Sequence, residues 1–274
     1  MCSSDLVFKN RSLATSSVVL MVLFAMMMGL FLVIVQFLQA VLGYSAIKAS
    51  LSLMPMAIVM MPLSTVAPRI ASRVGYRTMF TVGMGFFAAG LAMMASMTSV
   101  SGGYWSVLPG LLVLAVGMGL AQTPATTAIT ASLPVEEQGV ASALNDTVRE
   151  FGGALGIALV GSILSSGYRS GLGTAPDALP PEAAEAVKSG IGGAAYVAQQ
   201  AGSAGDQIMT VARGAFVDGL GTALWVAAGI SLLAGIAAFV WTPRQAHAAD
   251  GSLEEIDELE VLEHSIEAEV ALVD

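Results

Sequence analysis

LATSSVVLMVLFAMMMGLFLVIVQFLQ, residues 13–39, holds no charged side chain and shows no amphipathic stripe. Wound as a helix at 1.5 Å per residue, a run of this length crosses a hydrocarbon core of about 30 Å. Five further apolar runs follow, at 51–67, 79–97, 104–127, 140–164 and 216–241. Backbone in hydrocarbon must satisfy its own hydrogen bonds, so each run is expected to be a helix. A β-barrel would need short alternating segments, and none is visible. The fold class read from the residues is therefore an all-α membrane protein with a six-transmembrane-helix bundle over residues 13–241.

The rest of the composition fits that solvent. Thirty glycines occur in 274 residues, many of them inside the apolar runs, where small residues let helix backbones approach closely. The first run is too long for the apolar region of a signal peptide and lacks a small-residue cleavage site. The residues before it have little character of their own, and the chain is expected to be a fragment that begins mid-protein.

Lysine and arginine set the sidedness. Lys9 and Arg11 precede the first run, Arg69, Arg73 and Arg77 lie between the second and third, and Arg244 follows the sixth. All six share one face if every run crosses. The other face has Lys48 in its short loops, with Arg169, Lys188 and Arg213 in a long one. Both termini are thus expected on the cytoplasmic side of the inner (plasma) membrane, residues 1–12 as a short entry segment. Residues 165–215, rich in Gly, Ala, Ser and Pro, are expected to form an extracytoplasmic loop, with Pro180-Pro181-Glu182 opening a short helix.

The formal net charge of −9 is concentrated: half of the acidic residues lie after Trp241. That tail, 242–274, spaces Leu253, Ile256, Leu259, Leu262, Ile266 and Val270 as one helical face, with acids on the other. It reads as a solvated tail or as a docking helix for a partner. The remainder is near neutral, which argues against a nucleic-acid partner.

Enzymatic chemistry is poorly supplied. Cys2 is the sole cysteine, and His247 and His264 both lie in the tail. No phosphate loop, HExxH or CxxC occurs, so no catalytic residue, metal or cofactor is expected. One ionisable cluster stands out: Asp146, Arg149 and Glu150, at helical spacing i, i+3 and i+4. The apolar stretch after it, 151–164, is only about 21 Å long as a helix, so the helix must draw membrane length from the cluster. Two readings fit. The three are a proton or cation relay facing a cavity, with Arg149 holding an acid near neutral pH. Alternatively they pair in the inner headgroup layer, since arginine can snorkel.

Gln36 and Gln39 end the first run on one face, and Gln122 precedes Pro124 late in the fourth. Amides there suit a substrate in a central cavity or bridges between helices. Methionines at 26–28, 54, 56, 60 and 61 suit either plain packing or promiscuous apolar binding. Gly152, Gly153 and Gly156 mark a tight helix contact. Pro55, Pro62, Pro109 and Pro124 can kink their helices.

Three segments resemble a known family: VQFLQAVLGYSAIKASLSLMPMA (35–57), APRIASRVGYRTM (67–79) and GVASALNDTVREFGGALGIALVGSIL (139–164). In order and spacing they look like the C-terminal half of a major facilitator superfamily transporter, in the drug/proton antiporter branch with fourteen spans. DLVFKNRSLA (5–14) looks like the entry into that half. The second segment resembles the family's cytoplasmic loop motif, G-x-L-A-D-R-x-G-R-R. Arg73, Gly75 and Arg77 match it, whereas Ser72 replaces the acid and Pro68 the first glycine, which leaves the family's charge lock without its acid.

The resemblance implies secondary active, proton-coupled export of drugs or other amphipathic small molecules. It implies that the first, second, fourth and fifth spans line the central cavity. On that basis Gln36, Gln39, Gln122, Asn145 and Arg149 are the substrate-cavity candidates; the branch's antiporter signature lies in the N-terminal half and cannot be carried over, so Asp146 and Glu150 are proton-relay candidates on the residue reading alone. The implied partners are the lipid bilayer, a small amphipathic substrate, and a missing N-terminal half or a second copy. The competing reading is a non-transporting assembly or regulatory module that acts through the acidic tail.

Overall fold

A computed structural model describes residues 11–134 and 137–242. Lys9, Arg244, the two histidines, Cys2 and the acidic tail lie outside the described residues. Among the described residues eight α-helices follow one another: α1 Arg11–Gln36, α2 Ala46–Val74, α3 Tyr76–Met97, α4 Leu108–Thr130, α5 Gln138–Leu172, α6 Pro181–Ser189, α7 Ile191–Gln200 and α8 Gly205–Trp241. A wide π turn, Phe37–Val41, prolongs α1. Among the described residues six helices are long and apolar enough to cross a membrane: α1 with its π turn, α2, α3, α4, α5 and α8.

Small residues decide how these helices meet. α3 and α4 run antiparallel, with Gly83 and Gly90 facing Gly117 and Gly110. A Cβ on Gly90 would stand 2.5 Å from the Leu114 nitrogen and 2.7 Å from the Gly110 carbonyl oxygen. On α5, a Cβ on Gly152 would overlap the Met21 carbonyl of α1, and one on Gly156 the Ala25 carbonyl. Further along the same pair, a Cβ on Gly29 would lie 2.5 Å from Val160. Gly167 meets Gly219 of α8 in the same manner, at 2.6 Å. Lipid offers no hydrophobic drive between helices, so dispersion across these close backbones supplies much of the association.

The resulting bundle is uneven. α1 packs against α4, α5 and α8, while α3 packs against α4 and α8. Phe37, Phe80, Phe87 and Phe216 are fully buried between them. α2 rests on α4, where Gly119 admits Leu63, and has only Ala49, Met56, Ala67 and Ala71 buried. It exposes Ile47, Leu51, Met54, Ile58, Met61 and Val66. α8 exposes Trp225, Leu233, Phe239, Val240 and Trp241. In water such a surface would drive association; against lipid tails it needs no cover. The methionines divide accordingly: Met26, Met27 and Met56 are buried, Met54 and Met61 exposed.

α5 and α8 extend beyond the apolar runs read from composition, to Leu172 and back to Gly205. Packing accounts for the extension, since Gly171 of α5 lies against Ala215 of α8. Between them, α6 and α7 form a small cap. The Tyr168 hydroxyl donates to the Val187 carbonyl at 3.1 Å, and Arg169 Nε to the Lys188 carbonyl at 3.4 Å. Lys188 Nζ pairs with Asp177 at 3.4 Å.

Candidate functional site

α5 presents Asp146, Arg149, Glu150, Gly153, Ala154 and Ile157 along one face, because residues three and four apart stack on a helix. Together with Phe24 and Met28 of α1 they line a cleft of about 630 Å³. Contact of Gly152 and Gly156 with the α1 backbone brings the two helices close enough to define it. The structure therefore gathers both proton-relay candidates and Arg149 in one place.

Arg149 does not pair with its acidic neighbours. Its guanidinium carbon lies 4.3 Å from the centroid of the Phe24 ring. The only ion pair among the described residues joins Lys188 to Asp177. Asp146 and Glu150 are exposed to the cleft side of α5, and Arg149 is half-buried. Asp146 Oδ1 accepts a hydrogen bond from Asn145 Nδ2 at 3.3 Å. Asn145 is buried, and its own Oδ1 has no partner among the described residues.

Position along α1 follows from the helix rise. Phe24 stands thirteen residues beyond Arg11, about 20 Å along the axis. α1 begins at Arg11, so the Phe24–Arg149 contact lies well along a helix long and apolar enough to cross a hydrocarbon core of about 30 Å.

The amide candidates lie outside this cleft. Gln36 is half-buried and donates through Nε2 to the Leu32 carbonyl of its own helix at 3.2 Å. Gln39 is exposed within the π turn, and Gln122 is half-buried on α4. Gln36 is twelve residues beyond Phe24, about 18 Å further along the helix axis.

The loop motif occupies the α2–α3 turn. Gly75 has φ 86° and donates to the Ala71 carbonyl at 2.8 Å, a left-handed conformation that favours glycine. Arg77 lays its guanidinium over the Phe239 ring of α8 at 4.2 Å. Arg73 is exposed. Ser72, where the motif has its acid, turns its hydroxyl back to the Arg69 carbonyl at 2.8 Å.

Sequence reasoning did not single out Phe24 or Phe239, which lie in apolar stretches where an aromatic residue carries no special signal. The seven-residue spacing shared by Gly83/Gly90 and Gly110/Gly117 was a readable sign of the α3–α4 crossing. No group of three or more metal-ligating His, Cys, Asp or Glu side chains converges among the described residues.

Known proteins resemble this chain over most of its length. Multidrug efflux pump LfrA of Mycolicibacterium smegmatis is 33% identical over 213 residues, covering 76% of this chain and 41% of that protein. Multidrug resistance protein Stp of Mycobacterium tuberculosis is 26% identical over 260 residues, covering 90% of this chain and 48% of its own length. Methyl viologen resistance protein SmvA of Salmonella typhimurium is 28% identical over 227 residues, covering 82% and 46%. The chain thus spans under half the length of each of these relatives. A sequence model of the family described as Major Facilitator Superfamily matches residues 4–157. With that match over more than half of a multi-pass helical bundle, the chain belongs to the Major Facilitator Superfamily.

Proposed function

We propose that this chain is one six-helix half of a secondary active exporter of drugs or other amphipathic small molecules, coupled to protons. The single observation that carries the reading is the cleft between α1 and α5, two helices long and apolar enough to cross a membrane, which gathers two carboxylates and an arginine. Ionisable groups within membrane-spanning helices are rare and, where they face a cavity, usually mark a substrate or ion path. The relatives' names, efflux pump and resistance protein, support export as the direction.

On this reading Asp146 and Glu150 take up and release the coupling proton. Gln36, Gln39, Gln122 and Asn145 face substrate when the cavity is complete. The sparsely buried faces of α2 and α5 meet the other half, eight further spans or a second copy, because alternating access needs two bundles rocking about a site between them. Lys9 and Arg11 before α1 and the three arginines of the α2–α3 turn support a cytoplasmic side of the plasma membrane for both termini.

The test is export of a fluorescent cationic dye by the chain co-expressed with a matching N-terminal half. Efflux is expected only with both halves. Asp146→Asn and Glu150→Gln are expected to flatten the pH dependence of export. Robust efflux by the lone chain, or a wild-type pH profile in both variants, overturns the corresponding part.

A further inference from the structure

We propose that the Phe24 ring is the cation-recognition face of this cleft, and that Arg149 is its resident occupant, displaced when a flat aromatic cation binds. The inference rests on the export reading and adds to it the residues that select charge.

Phe24 projects from a helix with no charged residue after Arg11, and its ring carries the chain's own guanidinium at 4.3 Å. That contact is informative because alternatives stood nearby. Asp146 is one helical turn before Arg149 and Glu150 is the next residue, yet neither carboxylate comes within ion-pair distance. Guanidinium planes stack readily on aromatic faces, and a desolvated ring attracts a cation more strongly than an exposed one does. The same walls leave two carboxylates facing about 630 Å³ of open cleft.

The cleft therefore offers an aromatic platform with negative charge beside it, covered by a tethered cation. A quaternary aromatic cation can stack on Phe24 only if Arg149 leaves. The released guanidinium is then within reach of Asp146 or Glu150 on its own helix. Binding is a swap of one cation for another on a single ring. A neutral compound of the same shape gains nothing from the swap. An anion meets two carboxylates.

The experiment measures equilibrium binding to the purified chain in detergent, since every lining residue belongs to it. The probes are methyl viologen and its uncharged carbon isostere, 4,4′-dimethylbiphenyl. Phe24→Leu keeps apolar volume and removes the ring; it is expected to weaken methyl viologen binding roughly fivefold to thirtyfold. Arg149→Gln, with Arg149→Met as a second variant, is expected to tighten binding severalfold by removing the competitor. Combined with Phe24→Leu, the arginine variants are expected to give no gain. The isostere is expected to be indifferent to both arginine variants.

A gain that persists without the ring means simple charge removal and overturns the inference. So does the absence of any gain in both arginine variants, or unchanged binding in Phe24→Leu. If no variant binds methyl viologen while the two-half protein still exports dye, the inference fails and the export reading stands. If the two-half protein exports nothing, the export reading itself fails.

Discussion

Glycine at 156 and glycine at 85 are the same residue in two unlike places. A methyl on Gly156 would collide with the Ala25 carbonyl, whereas nothing lies within 4 Å of a Cβ on Gly85. Gly156→Ala is expected to destabilise the chain by about 1–3 kcal/mol, as overpacking does. Gly85→Ala is expected to be neutral or to stabilise by up to about 1 kcal/mol through helix propensity. Thermal unfolding of both variants in detergent checks the contrast, and equal shifts would refute the assigned α1–α5 contact. At the cytoplasmic turn, Gly75→Ala forces a side chain into φ 86° and is expected to cost about 1–2 kcal/mol. The same unfolding assay reads it.

Among the elements, α2 is the loosest. Pro55, Pro62 and Pro68 lie inside it, and each removes one intrahelical donor. Its first half is tied to the turn before α4 by the Tyr104 hydroxyl, which donates to the Ser52 carbonyl at 2.6 Å. Amide hydrogen exchange is expected to be at least tenfold faster in α2 than in α1, because local opening tracks the scarcity of buried contacts. Tyr104→Phe is expected to speed exchange in residues 46–60 further, by the loss of about 1 kcal/mol. Burial, and then the neighbouring Tyr44, raise the Tyr104 pKa above 10.0. The folded state thus favours the protonated phenol, so the tie is present in full below pH 10 and is lost as pH rises past the raised value. The difference between wild type and Tyr104→Phe is expected to stay constant up to that point; a difference that disappears near neutral pH would sink the assignment.

At the scale of the whole molecule, sidedness is the property most open to direct test. Cys2 is the only cysteine, so a membrane-impermeant maleimide reports the N-terminal side without engineering. Labelling is expected in inside-out vesicles and not in intact cells. The reverse pattern would invert the proposed orientation, and with it the placing of the arginine-rich α2–α3 turn.

Much of this architecture was legible before any coordinates. Runs such as 13–39 must be helical in lipid because no other backbone arrangement satisfies its own hydrogen bonds there, and the 152–156 glycine spacing announced a close crossing. Asp146, Arg149 and Glu150 stood out because charge is rare in such a chain. What composition could not supply was their partner. On the residues alone Arg149 had one carboxylate a turn before it, another next to it and no reason to prefer a ring. Only the packing of α5 on α1 puts Phe24 under its guanidinium. The ends of α5 and α8 were hidden for a related reason: past Leu164 and before Phe216 the chain is not apolar enough to read as a span, and its helices persist because Gly167 and Gly171 fit against α8. Periodicity and solvent determine which segments are helices; which side chains meet is decided by contacts between residues far apart in the chain, and those exist only once the helices have packed.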